Sequence, residues 1–171
     1  ISALCEKTGA KVDEVSTAVG MDKRIGPSFL NSSIGFGGSC FKKDILNLVY
    51  ISKHYGLDEV AEYWENVVRI NEYQTNRFGE KIIEAFNSDL SSKTISILGW
   101  AFKKDTNDSR ESASISLAKK LLLNGAKLKI YDPMVSVYQI VHDIKNKILE
   151  DGLGEEEIDN LISNVTVCEN F

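Results

Sequence analysis

A glycine-rich stretch that ends in a cysteine is the part of this sequence best suited to chemistry. Gly35, Gly37 and Gly38 let the backbone adopt positive φ angles and approach a ligand closely, and Cys40 follows almost directly. The apolar residues after Cys40 recur at helical spacing, which predicts a helix N-terminus at the cysteine. Unpaired N–H groups, the helix dipole and two following lysines would favour the nucleophilic thiolate there. The alternative is a glycine turn before a surface helix that contains a small buried cysteine.

A second candidate site follows the first predicted β-strand. Residues 99–110 form a polar loop at the carboxyl end of that strand, where ligands bind in parallel sheets. The loop lacks the Gly-x-Gly-x-x-Gly fingerprint, so it is not an ordinary dinucleotide loop. A solvated loop in which Asp or Ser caps the next helix is an equally good interpretation, and we favour it for Asp105 and Asp108. The candidate binding residues are one aromatic surface and three cations: Phe102, Lys103, Lys104 and Arg110.

The first elements that must position these residues are helices. Residues 1–8 and 11–19 predict two short helices, closed by Gly9 and by Gly20 as a C′ residue. The helix that begins at Cys40 is predicted to end near residue 56. Apolar residues from 58 to about 86 then predict one long helix, on the order of 40 Å. One small neighbour cannot cover such a helix, so its exposed part is a candidate oligomer interface; a domain outside this chain could cover it instead.

The second half of the chain predicts a parallel sheet. From residue 94 the hydrophobic period changes from 3.6 to 2, which predicts strands over 94–98 and 127–131 with a helix over 111–124 between them. This order is one βαβ unit. A helix over 136–149, a possible short helix and a weak strand over 165–167 follow. The expected fold is therefore helical first and α/β second.

Composition excludes several classes of protein. The 171 residues are 43% hydrophobic and 26% charged, which is typical of a globular protein. A net charge of -5 gives no support to nucleic-acid binding, and no apolar run approaches a membrane span. Cys5, Cys40 and Cys168 are far apart and the two histidines are isolated, so neither a disulfide framework nor a metal site is expected. This cysteine usage favours a reducing, cytoplasmic location. The start at Ile1, inside a helical pattern, predicts a fragment of a longer chain.

Two long motifs resemble the UDP-glucose/GDP-mannose dehydrogenase family. They are GFGGSCFKKD at 35–44 and GWAFKKDTNDSRES at 99–112, supported by MDKRIG at 21–26 and YDP at 131–133. The likeness is strong over residues 1 to about 133 and weak beyond. It implies an N-terminal NAD-binding domain outside this chain, a central helical dimerisation domain (1–88 here) and a Rossmann-like domain that holds the UDP sugar (89–171 here).

The resemblance also implies roles for individual residues. Cys40 would be the nucleophile, forming a thiohemiacetal and then a thioester with the sugar C6. Asp44 would orient the hydrolytic water, and Lys43 would lie near the cofactor and the thiolate. Arg24 would reach the substrate of a neighbouring subunit. The implied cofactor-binding residues are Cys40, Lys43 and Arg110, and the implied substrate-binding residues are Arg24, Asn31, Ser32, Ser33, Ile34, Gly35, Phe36, Gly37, Phe102 and Lys103.

Within the family, the glycine–cysteine motif favours UDP-glucose as the substrate, UDP-glucuronate as the product and NAD as the cofactor. Sister enzymes that oxidise GDP-mannose or N-acetylated UDP sugars are the first alternative. A different class is a non-catalytic module that dimerises through the central helices and holds a nucleotide sugar. Because half of the implied site lies outside this chain, we expect the isolated chain to be inactive. The resemblance also implies that the parent protein is a homo-oligomer through the central helices.

Overall fold

The computed structural model describes residues 1–170, which group by contact into two compact units, residues 1–34 and the residues from 35 onward. The first unit holds α1 (Ser2–Thr8), α2 (Val12–Gly20) and an irregular segment. Gly9 ends α1 with φ 76°, as predicted. The prediction for Gly20 is wrong, because this residue is the last of α2 and Met21 is the cap. Gly20 instead makes room for Pro27, whose Cα would lie 3.0 Å from an added Cβ.

Two helices, α3 (Ser39–His54) and α4 (Asp58–Ala85), open the second unit and pack against each other. The predicted long helix is confirmed to within one residue at its end. On α3 the contact buries Ile45 and Val49, as the helical spacing predicts. Phe41 and Leu48 belong to the same apolar pattern but stay 53% and 42% exposed. They lie beside the narrow stripe that a single packed helix can cover.

The α/β part alternates strands and helices in the predicted order. β1 (Thr94–Leu98) and β2 (Lys127–Tyr131) have the predicted bounds, pair in parallel, and are joined by α5 (Ala113–Leu123). After α6 (Val137–Leu149) and α7 (Glu155–Ile162), β3 (Val165–Val167) pairs in parallel with β2, which gives the order β1-β2-β3. The fold is thus a helical segment followed by a Rossmann-like α/β part, as expected. The division between residues 88 and 89 stays a prediction.

The start of α5 differs by two residues from the prediction at Glu111. The hydroxyl of Ser112 caps the helix by accepting a hydrogen bond from the Ser114 N–H at 3.3 Å. Glu111 lies outside the helix with φ 55°, in the left-handed region. Amphipathic spacing cannot locate this boundary, because a polar residue fits either side of it.

The core lies between the sheet and helices α5 and α6. Ile140, Ile144 and Ile148 on α6 are fully buried at one-turn intervals. Each such side chain contributes roughly 2 kcal/mol through burial. Leu128 and Ile130 on β2 are buried as well, and so are Leu121 and Leu122 of α5. This core fixes the carboxyl ends of β1 and β2, from which the loops of interest begin.

Asp132 ties the end of β2 to the loop after β1. One carboxylate oxygen accepts hydrogen bonds from the N–H groups of Trp100 (2.6 Å) and Ala101 (3.0 Å). The other oxygen accepts from Met134 (2.8 Å) and Val135 (3.0 Å). Burial raises the pKa of Asp132, but these four N–H donors together outweigh it and lower the pKa below its ordinary value. The carboxylate therefore holds the start of the 99–112 loop in place.

Candidate active site

The cysteine stands where the sequence places it, at the start of a helix. Residues 35–38, which we call the glycine loop, lead into α3, and Gly38 is the N-cap residue with φ 85°. Among the side chains of residues 1–170, none caps this helix start. Cys40 is the second residue of α3 and is an exposed, free thiol. The N–H groups of the first turn are therefore directed toward the region that an anion or a developing oxyanion would occupy.

The first turns of α3 present Cys40, Lys43 and Asp44 together. Positions i, i+3 and i+4 lie on one face of a helix, and all three residues are exposed. Over residues 1–170, neither Lys43 nor Asp44 takes part in an ion pair. Lys42 differs, because its ammonium group lies 2.9 Å from a carboxylate oxygen of Glu111. That hydrogen bond raises the pKa of Lys42, against the opposing effect of burial. Lys43 and Asp44, not Lys42, are thus available beside the thiol.

The two motifs meet in space. The N–H of Gly38 donates a hydrogen bond to the carbonyl oxygen of Arg110 at 3.0 Å. A Cβ on Gly37 would lie 2.6 Å from the carbonyl oxygen of Glu111, and one on Gly38 would lie 2.9 Å from the ring of Phe102. Side chains at these positions would push the 99–112 loop away. The glycines therefore allow the cysteine loop and the loop after β1 to form a single site.

Phe102 and Lys103 form one surface of this site. The Phe102 ring is half-buried against the glycine loop, and the Lys103 ammonium group lies 5.2 Å from the ring centroid. At this distance a cation is attracted by the face of the ring. The N–H of Phe102 donates to the carbonyl oxygen of Asp108 at 3.0 Å, which closes the loop. An aromatic face beside an exposed ammonium group suits a ring with attached phosphates.

Arg110 is held in one orientation by Asp108. Its Nε and Nη2 donate to the two carboxylate oxygens at 2.9 Å and 2.8 Å. The Arg110 side chain first, and then its backbone N–H, lower the pKa of Asp108 to about 2. Asp108 in turn raises the pKa of Arg110, and the charge of Cys40 raises it further by the smallest amount. Asp108 thus orients the Arg110 guanidinium group and also accepts a hydrogen bond from the Arg110 backbone N–H. Sequence reasoning missed this pairing. Asp105 is exposed, as expected.

Helix α4 holds the glycine loop from the opposite side. The Phe36 N–H donates to Oδ1 of Asn71 at 2.8 Å, and Nδ2 of Asn71 donates to the Phe36 carbonyl oxygen at 2.9 Å. Gly35 has φ 140°, and a Cβ there would lie 2.9 Å from both Asn71 Oδ1 and Thr75 Oγ1. Sequence reasoning missed Asn71. The available signal was its place on the helix face that also carries Val68 and Thr75, both buried.

The remaining predicted substrate residues belong to the first unit. Arg24 is exposed and forms hydrogen bonds with Asp22, with Nε at 3.0 Å and Nη2 at 2.5 Å from its oxygens. This arginine lowers the pKa of Asp22. Asn31, Ser32 and Ser33 are exposed and Ile34 is half-buried. Their placement relative to Cys40 stays a prediction.

A cavity of about 430 Å³ lies behind the glycine loop, between α4 and α5. Lys42, Lys119, Lys120 and Lys147 line it. Each of these lysines is paired with a carboxylate, at 2.9, 2.6, 3.1 and 2.6 Å respectively. These ion pairs compensate the charge of each lysine, which weakens the attraction of the cavity for an anion. Cys40 is not among its lining residues.

Within residues 1–170, no group of three His, Cys, Asp or Glu side chains could hold a metal ion. In the same residues no helix combines the length and the apolar character that crossing a membrane requires.

Comparisons with known proteins agree with the geometry. The central-domain model of the UDP-glucose/GDP-mannose dehydrogenase family matches residues 1–73, and the UDP-binding-domain model of the same family matches residues 96–169. UDP-glucose 6-dehydrogenase 3 of Arabidopsis thaliana is 59% identical over 144 residues, which is 84% of this chain and 30% of the relative. UDP-glucose 6-dehydrogenase of Pongo abelii is 51% identical over 170 residues, 99% of this chain and 33% of the relative.

Solved structures give the same result. A UDP-glucose dehydrogenase from Pyrobaculum islandicum superposes with a TM-score of 0.70 at 30% identity, covering 96% of this chain and 33% of that one. The chain spans about a third of the length of these relatives. The two family models cover most of its residues, in the order and at the positions of the two motifs. The chain therefore belongs to the UDP-glucose/GDP-mannose dehydrogenase family.

Proposed function

We propose that the protein containing this chain is an NAD-dependent UDP-glucose 6-dehydrogenase that oxidises the C6 alcohol of UDP-glucose to the carboxylate of UDP-glucuronate. The observation that carries the proposal is the contact between the glycine loop and the loop after β1. The Gly38–Arg110 hydrogen bond and the Phe102 ring bring the thiol beside a surface suited to a sugar nucleotide. The names of the relatives above support the choice of UDP-glucose.

The reaction removes four electrons. One alcohol, one water and two NAD⁺ give one carboxylate, two NADH and three protons. NAD supplies the hydride acceptor at each oxidation. The Cys40 thiolate adds to the aldehyde carbon, forming a C–S bond while the carbonyl oxygen takes a proton. Loss of the C6 hydrogen as hydride, together with the proton of the hydroxyl group, converts this thiohemiacetal into a thioester. Water then attacks the thioester, the C–S bond breaks, and the thiolate is regenerated.

Asp44 and Lys43 assist at the thiol. Asp44 lies one turn after Cys40, where its carboxylate can orient the attacking water and accept a proton from it. Lys43 places a positive charge near the thiolate and near the oxygen that carries negative charge when water adds to the thioester. Both side chains are exposed in this chain, so a bound substrate can reach them.

Two described residues fit a dinucleotide cofactor. Lys43 and Arg110 are exposed cations, and Arg110 is already oriented by Asp108. Their positive charges would hold the phosphates of the cofactor. The Gly-x-Gly-x-x-Gly fingerprint of a dinucleotide domain does not occur in this sequence. We therefore expect the isolated chain to turn over no UDP-glucose, and the activity to require the full-length protein.

The test is the number of NADH molecules that the full-length protein forms per UDP-glucose, with GDP-mannose compared. We expect two NADH per UDP-glucose and a loss of at least about a thousandfold in Cys40→Ser. Cys168→Ser is the matched control and should retain activity, since Cys168 follows β3 and is not among the residues proposed to contact substrate or cofactor. Turnover of GDP-mannose alone would move the proposal to the sister enzyme. Nucleotide-sugar binding without turnover would favour a binding module and overturn the proposal.

A further inference from the structure

We infer that Asn71 is a positioning residue for Cys40, which acts by fixing the glycine loop from the side of α4. Only the expected effect on kcat rests on the proposed function; the expected effect on the glycine loop does not. Asn71 satisfies both backbone groups of Phe36, accepting from its N–H at 2.8 Å and donating to its carbonyl oxygen at 2.9 Å. A primary amide is the smallest side chain group that offers a donor and an acceptor side by side in this way.

The loop needs such an anchor because its own residues restrict it little. Gly35, Gly37 and Gly38 make it the most conformationally free segment next to the thiol. Gly35 and Gly38 adopt φ 140° and 85°, values that few other residues tolerate. Without a fixed point between them, the start of α3 would sample several directions. The two hydrogen bonds at Phe36 supply that point.

The anchor itself is rigid. Asn71 lies mid-way along the 28-residue α4, on the face whose Val68 and Thr75 are buried. The Thr75 hydroxyl donates to the Asn71 carbonyl oxygen at 3.3 Å. A side chain at position 35 would not fit here, because its Cβ would lie 2.9 Å from Asn71 Oδ1, so the loop can approach α4 this closely only with glycine.

The position of Phe36 is transmitted to Cys40 by two routes. Along the chain, Gly38 follows two residues later and is fixed on its other side by Arg110. Through space, the Phe36 ring packs edge to face on Phe41 with 4.8 Å between centroids. Phe41 is the residue after Cys40, so the thiol lies between Gly38 and Phe41, whose positions both depend on Asn71 through Phe36. A displacement of about 1 Å at a nucleophile can cost a hundredfold in rate.

The test is Asn71→Leu in the full-length protein, because leucine keeps the shape but neither hydrogen bond. We expect amide hydrogen exchange of the peptide covering residues 33–41 to become about tenfold faster. We expect kcat to fall at least about tenfold and the KM for NAD to change less than about twofold. Asn76→Leu is the matched control on the same helix, since Asn76 is exposed; its loop exchange should equal that of the wild type.

If Asn71→Leu does not fold, Asn71→Asp answers the same question, because aspartate retains the acceptor for the Phe36 N–H and loses the donor to its carbonyl. We expect a smaller rise in exchange than in the leucine variant and an intermediate kcat. Unchanged exchange of residues 33–41 in the folded variant would overturn the inference. Faster exchange with wild-type kcat would also overturn it, by separating the loop from the thiol. If the wild-type protein lacks UDP-glucose activity, the proposed function fails while the exchange measurement still decides the role of Asn71.

Discussion

At the scale of single residues, the site depends on a few side chains whose neighbours decide their role. Lys42 and Lys43 are adjacent in sequence, yet one is paired with Glu111 and the other is exposed beside the thiol. The helical period explains the difference, because adjacent positions point about 100° apart. Sequence alone identifies the pair as basic. Only the position of Glu111, 69 residues later, shows which lysine is occupied.

Asp44→Asn should slow the hydrolysis of the thioester more than its formation. An amide can orient water but accepts no proton from it, so the acylated enzyme should accumulate. Intact-mass spectrometry of the full-length variant mixed with UDP-glucose and NAD should show a covalent adduct that Cys40→Ser lacks. Asp159→Asn, which changes an exposed aspartate far along the chain on α7, should show none. Slower turnover without an adduct would contradict the role of Asp44.

Asp108→Asn should lower the free energy of unfolding above about pH 4 and have little effect near pH 2. The pKa of Asp108 is lowered to about 2 from 3.8 by its hydrogen bonds with Arg110. A lowered native pKa means that the carboxylate stabilises the fold fully above the unfolded pKa, and that this contribution is lost as the pH falls from about 4 toward 2. Urea titrations of the full-length protein should therefore differ most between wild type and variant above pH 4, and converge toward pH 2. A difference independent of pH would contradict this assignment.

At the scale of elements, backbone docking explains why the glycines occur where they do. Gly37→Ala should weaken the site, because its Cβ would lie 2.6 Å from the Glu111 carbonyl oxygen, and a backbone atom cannot turn aside as a side chain can. We expect a destabilisation of about 1–3 kcal/mol together with at least a tenfold loss of kcat. Gly154→Ala is the control, since a Cβ there meets its nearest neighbour at 3.9 Å. Equal effects of the two substitutions would argue against docking as the cause.

Asp132→Ala tests how the loop after β1 is held. Removing the carboxylate leaves the N–H groups of Trp100, Ala101, Met134 and Val135 without their acceptor. We expect a loss of roughly 2–4 kcal/mol in the free energy of unfolding by urea. Asp89→Ala, which removes an exposed acceptor for Ser91, should cost less than about 1 kcal/mol. An equal, small cost at both positions would mean that water replaces Asp132.

The elements themselves are largely predictable from the sequence. Both predicted strands are confirmed, with the bounds Thr94–Leu98 and Lys127–Tyr131. A hydrophobic period of 2 that ends at glycine or Asp-Pro is typical of a β-strand and fixes where it ends. The contacts that unite the elements are not predictable in this way. Asn71 is 35 residues from Phe36 and sits in mid-helix, where a polar side chain ordinarily faces solvent. Trp100 likewise carries no local signal of its hydrogen bond to Asp143, 43 residues away.

At the scale of the whole molecule, one side of α4 remains apolar and exposed. Tyr63 and Ile70 are 66% and 61% exposed, on the side of the helix away from buried Val68. The proposed homo-oligomer would bury this surface. We expect Tyr63→Glu combined with Ile70→Glu to shift the full-length protein to a smaller species in sedimentation velocity. Asn160→Glu, which adds a negative charge at an exposed position on α7, should leave its size unchanged. An unchanged species in the double variant would place the interface elsewhere.

The position of the glycine loop between α4 and the 99–112 loop has a consequence for protein engineering. A direct way to exchange specificity is to graft the sugar-binding half of one family member onto the central half of another, with the junction in the polar stretch 87–93. In such a chimera, Gly37 would come from one protein and the carbonyl group it faces from the other. The same would hold for Lys42 and Glu111. A functional graft must therefore take the glycine loop and the 99–112 loop from the same donor. These two segments, far apart in sequence, have to be transferred together.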